Sequence, residues 1–262
     1  MEYIDIGVNL LNRQFRNDIQ EVMRSAREDE IGIIITGTDN YANKNACGLI
    51  ENFKEDTDGW MWSTCGFHPH NADEWMGLYK QAMIKLLDTK SCIKAIGEIG
   101  LDFDRNYSSK ENQIKCFEEI LDFAEGYDKP LFLHERGAVD AFCDILKKHE
   151  RLCHRAVVHC FTGTKEAALK YLELGCSIGI TGWVCDNKRN QDLLEALKVI
   201  PIERLMVETD APYLTPKGLG LSSRNTPSNI VYVVKKLAEV KELPFKTVKN
   251  QVLKNTREFF NI

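Results

Sequence analysis

The sequence predicts an α/β fold in which eight parallel strands alternate with helices and close into a (β/α)8 TIM barrel. Three observations predict it. Eight short apolar runs recur along the 262 residues, each followed by a stretch with helical spacing. The runs do not alternate strictly between apolar and polar residues, which suits parallel strands covered on both faces. Eight such units in about 250 residues is also the ordinary size of this barrel. The runner-up, an open doubly wound sheet, fares worse because GVNLLNRQF after the first run contains no G-x-G-x-x-G turn.

The elements follow in order. Residues 3–8, YIDIGV, open as a strand. Residues 18–29 place Ile19, Val22, Met23 and Ala26 on one helical stripe. IGIIITG is a buried strand, 40–52 a helix, WMWSTCG a strand and 75–87 a helix. CIKAIGEIG is a strand, and the helix at 111–124 carries Ile114, Phe117, Leu121 and Ala124 on one side. KPLFLH starts at a strand edge position where Pro130, lacking an N–H, is tolerated. Then come a helix at 138–148, the strand RAVVHC, a helix at 164–174, the strand CSIGITG, a helix at 191–199 and the strand RLMVETDAP. Helices at 228–240 and 246–260 close the chain. No linker interrupts this order, so residues 1–262 read as one domain, and the Gly/Pro/Ser-rich segment 213–229 reads as a rim loop.

Composition narrows the function. The net charge of −5, from 34 Lys+Arg against 39 Asp+Glu, excludes a wholly basic nucleic-acid coat but permits a local basic groove. Nine cysteines form no C-x-x-C, and Cys65, Cys92, Cys160 and Cys176 sit in apolar company, as small buried side chains of a reducing compartment do. MEYIDIGVNL has no signal-peptide pattern and no run of ~20 apolar residues occurs, so the expected location is cytoplasmic or nuclear, not secreted, with no membrane partner.

In such a barrel the C-terminal ends of the strands build the active face. His68 and His70 follow the third strand, Glu98 lies in IKAIGE, His134 ends PLFLH, His159 ends AVVH, and Glu208 and Asp210 end LMVETD. Any one of these is an ordinary polar exit from a strand. The set is not, since four of the six histidines stand at strand ends. Glu98 in an apolar strand also needs a metal or a basic partner, because a buried unpaired carboxylate is costly. Imidazoles and carboxylates without cysteine suit a hydrolytic divalent metal. His149 and His154, in KKHERLCHR, read as surface residues.

Substrate contacts are sought on the rim. Asp102, Asp104, Arg105 and Tyr107 follow the fourth strand, where Asp104 and Arg105 are either site residues or a surface ion pair. Arg136 lies two residues beyond His134. The N–H groups around Thr162 and Gly163 could receive a phosphate, with Thr164 alternatively a simple helix cap. Trp183 stacks a base or packs the rim, while Lys188, Arg189 and Arg224 are candidate phosphate contacts.

The stretches GFHPH, AIGEIGLDFDRNYS, PLFLHERG, VVHCFTGT, IGITGWVCD and ETDAPYL, in this order, resemble the TatD family of metal-dependent deoxyribonucleases, in the branch of bacterial TatD and its eukaryotic relatives. The resemblance spans residues 3 to about 215 and agrees with the closing helices. It implies a barrel hydrolase of DNA degradation or repair, a 3′–5′ exonuclease on DNA that is single-stranded or has accessible 3′ ends. The cofactor implied is Mg2+, with Mn2+ or Zn2+ as alternatives. By family pattern the metal ligands would be Glu98, His134, His159 and Asp210. Asp210 or Glu208 would act as general base, and His68 or His70 would orient the phosphate or protonate the leaving oxygen, with His68 preferred. One departure stands out. Many members begin with D-x-H-x-H, where this chain has Asp5-Ile6-Gly7-Val8-Asn9. Gly7 offers no ligand, Asn9 is a poor one, and Asp5 serves as a weak ligand or a hydrogen-bond acceptor, so one tight metal and a loosely held second are expected. A monomer is expected. The rivals are a metal-dependent hydrolase of another phosphoester or an amide, and a binding protein that kept the barrel.

Overall fold

Parallel pairing runs without a break from the first strand to the last. In the computed structural model, which describes residues 1–262 apart from the side chain of Asp56, the strands are β1 (Tyr3–Val8), β2 (Ile31–Ile35), β3 (Met61–Cys65), β4 (Ile93–Asp102), β5 (Leu131–Arg136), β6 (Ala156–Val158), β7 (Ser177–Ile180) and β8 (Leu205–Val207). They neighbour one another in chain order. The ring closes where Val8 bridges Ala211, the Asn9 N–H donates to Ala211 O at 2.8 Å and the Asp210 N–H donates to Gly7 O at 2.9 Å. The predicted (β/α)8 barrel is therefore the fold.

The helices are α1 (Ile19–Glu28), α2 (Asn40–Asn52), α3 (Lys54–Thr57), α4 (Gly77–Thr89), α5 (Lys110–Ala124), α6 (Val139–Lys147), α7 (Glu150–Cys153), α8 (Lys165–Glu173), α9 (Gln191–Val199), α10 (Ile230–Lys241) and α11 (Phe245–Phe260). Two single-turn helices, α3 and α7, are too short for a periodicity to reveal. Residues Pro69–Glu74 form a 3-10 turn, and the helix predicted from Trp75 starts at Gly77. The last strand ends at Val207, short of the predicted RLMVETDAP.

Inside the barrel, Ile4, Ile6, Ile34, Trp62, Ala95, Phe132, Val157 and Met206 pack with Phe260 of α11. This apolar floor lies below the strand C-terminal ends. Two register slips then change which residues face inward. In β4, Gly97 pairs with Phe132 and Ile99 with Leu133, so Glu98 is the extra residue of a bulge. Strict alternation from inward Ala95 would send Glu98 outward, and the bulge turns it in. In β1 the slip between Asp5 and Val8 lets Ile6 and Gly7 both face the interior. No helix among the described residues is long and apolar enough to cross a membrane.

Candidate metal centre

Three imidazoles meet one carboxylate oxygen at the mouth of the barrel. Glu98 Oε1 lies 3.0 Å from His68 Nε2, 2.9 Å from His134 Nδ1 and 2.8 Å from His159 Nε2. His134 and His159 each stand two positions beyond an inward floor residue, Phe132 and Val157, so strand alternation brings both inside. His68 is held at the start of the 3-10 turn, stiffened by Pro69. These groups, with Asp102 and Asp210, line a cleft of about 960 Å³ on the strand C-terminal side.

The far nitrogen of each ring fixes what the near nitrogen can do. His159 Nδ1 is 3.2 Å from Glu208 Oε2, so Nδ1 is the N–H and Nε2 presents a lone pair. His134 Nε2 faces Asp102 Oδ2 at 3.4 Å, a long contact that leaves this buried nitrogen without a satisfied hydrogen bond. Asp102 is its available acceptor, which makes His134 Nδ1 the lone pair. His68 is the opposite case. The His70 backbone N–H donates to its Nδ1 at 3.1 Å, so Nε2 carries the proton and donates to Glu98. Potential donor atoms of His68, Glu98 and His134 lie within 4.8 Å of one another. The tautomers nevertheless favour Glu98, His134 and His159 as the ligand set, with His68 as a hydrogen-bond donor.

Two ring lone pairs and a carboxylate oxygen repel unless a positive charge sits among them. The titration of the groups says the same. Burial opposes charge on His159, yet Glu98 and Glu208 outweigh it and hold the ring's pKa well above the usual range. Burial likewise opposes ionisation of Glu98, but His68, His159 and His134 hold it well below the usual carboxylate range. His68 is lowered to about 4, mainly by burial, and is neutral near pH 7. The residues present fit a divalent cation.

Asp210 also faces the cleft. Its Oδ1 accepts from Asn9 Nδ2 at 2.8 Å, and among the described residues no protein group bonds its Oδ2. Burial, with Glu98 and Glu208 adding repulsion, pushes its carboxyl up to about 7 against the opposing pull of His159.

Glu208 takes a different place from its neighbour in ETD. It is fully buried, does not line the cleft, and accepts the Cys160 N–H at 2.5 Å while holding His159. Its carboxylate lies in the space that two glycines leave. A β-carbon at position 7 would stand 2.3 Å from Oε2, and one at position 179 would stand 2.6 Å from Oε1. The glycine that replaces the first-strand histidine thus makes room for Glu208.

Asp5 alternates with inward Ile4 and Ile6 and points into the seam between β1 and β8, away from the cleft. Its Oδ1 accepts the Thr209 N–H at 2.9 Å and its Oδ2 is 2.5 Å from the Thr209 hydroxyl. Burial raises its pKa well above the ordinary value, and of the two roles expected, weak ligand or hydrogen-bond acceptor, it takes the second, as a clip on Thr209. Asp5→Asn should therefore keep both contacts, metal affinity and the urea midpoint. Asp5→Ala should lose about 2–3 kcal/mol of stability in the same urea titration. A drop in metal affinity for Asp5→Asn would return Asp5 to the site.

Asp102 ranked low in the sequence and sits at the centre of the network. It is buried, lies 2.7 Å from His70 Nε2, and accepts the Arg105 N–H at 2.8 Å. Burial raises its pKa, but the facing imidazoles of His134 and His70 hold it far below the usual range. The signal was present: 98, 100 and 102 share one parity on the strand.

The rim residues divide. Arg105 and Arg136 line the cleft, and Arg105 is exposed with no ion pair among the described residues. Arg136 pairs with Asp104 at 2.7 Å, so the ion pair expected between Asp104 and Arg105 is made by Arg136 instead. Trp183 lines the cleft, with the Arg189 guanidinium 4.0 Å from its ring centre and itself held by Asp186. Lys188 is exposed and outside the cleft lining. Arg224 is committed elsewhere: it grips Asp18 and the Gln14 carbonyl and covers Phe15, tying the rim loop to the start of α1. Thr164 caps α8 through the Ala167 N–H at 3.3 Å. His149 is buried against Glu125, 2.8 Å away, and is not the surface residue expected.

Comparison with known proteins agrees with this geometry. The family model described as TatD related DNase matches residues 4–261. A Pantoea ananatis protein named 3′-5′ ssDNA/RNA exonuclease TatD is 39% identical over 98% of this chain and 99% of its own. The protein of the same name from Yersinia pseudotuberculosis is 40% identical over the same shares. Among solved structures, a TatD-family hydrolase from Entamoeba histolytica superposes with a TM-score of 0.89 at 28% identity, covering 98% of this chain and 97% of that one. A TatD homologue from Escherichia coli K12 also gives 0.89, at 26% identity over 100% and 98%. The matched length, the barrel and the strand-end cluster of histidines around Glu98 together place the chain in the TatD-related DNase family.

Proposed function

We propose that this chain is a metal-dependent exonuclease that hydrolyses phosphodiester bonds from the 3′ end of single-stranded DNA, and of RNA. The observation that carries the reading is the convergence of His134 Nδ1 and His159 Nε2 on Glu98 Oε1, at 2.9 and 2.8 Å, on the floor of an open cleft. Direction and substrate class come from the activity for which the Pantoea and Yersinia proteins are named.

Glu98, His134 and His159 would hold the cation, with Asp210 as a further ligand. Bound there, a divalent cation neutralises phosphate charge and acidifies the attacking water. Two imidazoles among the donors favour Mn2+ or Zn2+ over Mg2+ in affinity, so use of Mg2+ would rest on its abundance. Gly7 and Asn9 provide no imidazole for a second ion, which would be held weakly.

The chain's own groups supply the rest. Asp210, steadied by Asn9 and raised toward neutrality, accepts the proton of the attacking water. His68 offers its Nε2–H to a phosphate or leaving oxygen. Glu208 positions His159, and Asp102 positions His134 while sharing its other contacts with His70. Arg105 and Arg136 meet backbone phosphates at the rim, contacts that weaken with salt. A single chain supplies every group, and we read it as a one-domain monomer.

The test is digestion of 5′-labelled single- and double-stranded oligonucleotides of one sequence by chelator-treated protein. Activity should be absent until Mg2+ or Mn2+ is added, and then a ladder should shorten from the 3′ end, faster on the single strand. A protein inert on both with every metal would overturn the reading in favour of another phosphoester or amide substrate.

A further inference from the structure

Four aromatic side chains are exposed among the described residues: Tyr41 at 70%, Tyr107 at 66%, Tyr213 at 47% and Phe245 at 37%. The first three line the one cleft that holds the ligand ring. They come from three separate places in the chain. Tyr41 stands in the first turn of α2, Tyr107 between β4 and α5, and Tyr213 in the loop after β8. Single exposed apolar residues are ordinary, whereas a cluster around one cleft marks a binding surface.

Two of them bracket the ligands. The Tyr107 ring lies edge-on to His70 at 4.7 Å, and His70 bonds Asp102. On the other side the Tyr213 N–H donates to Asp210 O at 3.0 Å, and its hydroxyl accepts from Asn12 Nδ2 at 2.7 Å. The cleft also contains Glu98, Asp102, Glu135 and Asp210, so its floor repels a phosphate chain wherever no cation stands. Beyond the rim contacts of Arg105 and Arg136, affinity for a strand must then come from elsewhere.

We infer that Tyr107 and Tyr213 are base-stacking platforms that seat the two nucleotides flanking the scissile phosphate, with Tyr41 as a third contact. The inference rests on the nuclease reading and names how that site chooses its substrate. A tyrosine face takes any base without regard to sequence, in DNA or RNA, but only a base whose own face is free. Bases inside a duplex are already stacked on both sides. The tyrosines therefore select unpaired 3′ ends, and the ligand ring alone does not.

The experiment compares an intact single-stranded oligonucleotide with one whose two 3′-terminal nucleotides are abasic. Wild type, Tyr107→Ala, Tyr213→Ala and the corresponding Phe variants are assayed with Mn2+, with thermal melting as the check on folding. On the intact strand each Ala variant should raise KM about tenfold, with a much smaller change in kcat, and each Phe variant should stay near wild type. On the abasic strand the Ala variants and wild type should converge. Equal KM increases on both strands, or no increase on either, would overturn the stacking role. Wild type cutting neither strand would instead refute the nuclease reading beneath it.

Discussion

Glu98→Ala should lower kcat/KM by about 10³-fold or more and abolish metal binding in a calorimetric titration, since a bound cation supplies several kcal/mol of charge stabilisation. The reason lies in the donor set. Without Glu98 no anion remains between His134 Nδ1 and His159 Nε2, which stand 3.4 Å apart. Against the effect of burial, the carboxylate together with Glu208 also raises the pKa of His159 well above the usual range. That gives the wild type a pH signature. The raised His159 contributes stability below about pH 6.5 that is lost as pH rises through its folded pKa, and the lowered Glu98 contributes stability above about pH 4.5 that is lost on acidification. Cation binding needs the neutral imidazole, so affinity should climb with pH up to the raised pKa of His159. Glu98→Ala should show neither the binding nor the slope. Normal metal-supported turnover in this variant would remove Glu98 from the centre.

The second large effect belongs to a residue with no side chain. Gly7→Ala would press its β-carbon to 2.3 Å from Glu208 Oε2, with Phe132 Cζ at 3.1 Å on another side. Glu208 has no solvent to escape into. We expect a loss of about 1–3 kcal/mol in denaturant stability from the overpacking. We also expect about a 10–100-fold loss in metal affinity, because His159 loses the partner that orients it. The double variant with Glu208→Ala should be no weaker for metal than Glu208→Ala alone, since both changes act through one contact. Additive losses would mean that Gly7 serves something other than Glu208.

These two residues show where the sequence was legible and where it was not. The barrel could be read because apolar runs and helical stripes are local patterns. The cluster at the barrel mouth could be read because histidines and carboxylates at strand ends are local too. Depth was hidden. Glu208 and Asp210 share one strand-end motif, yet one is sealed between two glycines and the other opens to the cleft. Gly7 looked like a missing histidine because its meaning is a contact with a residue 201 positions away. Glu98 was singled out by its buried charge, but the bulge that turns it inward leaves no mark in the pattern GEIG. Arg224 looked free because its partner Asp18 lies 206 positions earlier.

The seam clip between Asp5 and Thr209 sets a condition on synthesis. The two residues are 204 positions apart, so the first strand leaves the ribosome long before its partner exists. His134 and His159 emerge in between, on a sheet with an open edge. Contacts this distant in sequence form late, after the cost of closing a long loop. A chain cut short before Thr209 carries most of the ligands but neither the closing strand contact nor Asp210. Interrupted translation should therefore release inert fragments rather than a half-built nuclease, and hydrolytic competence should appear only with the finished polypeptide.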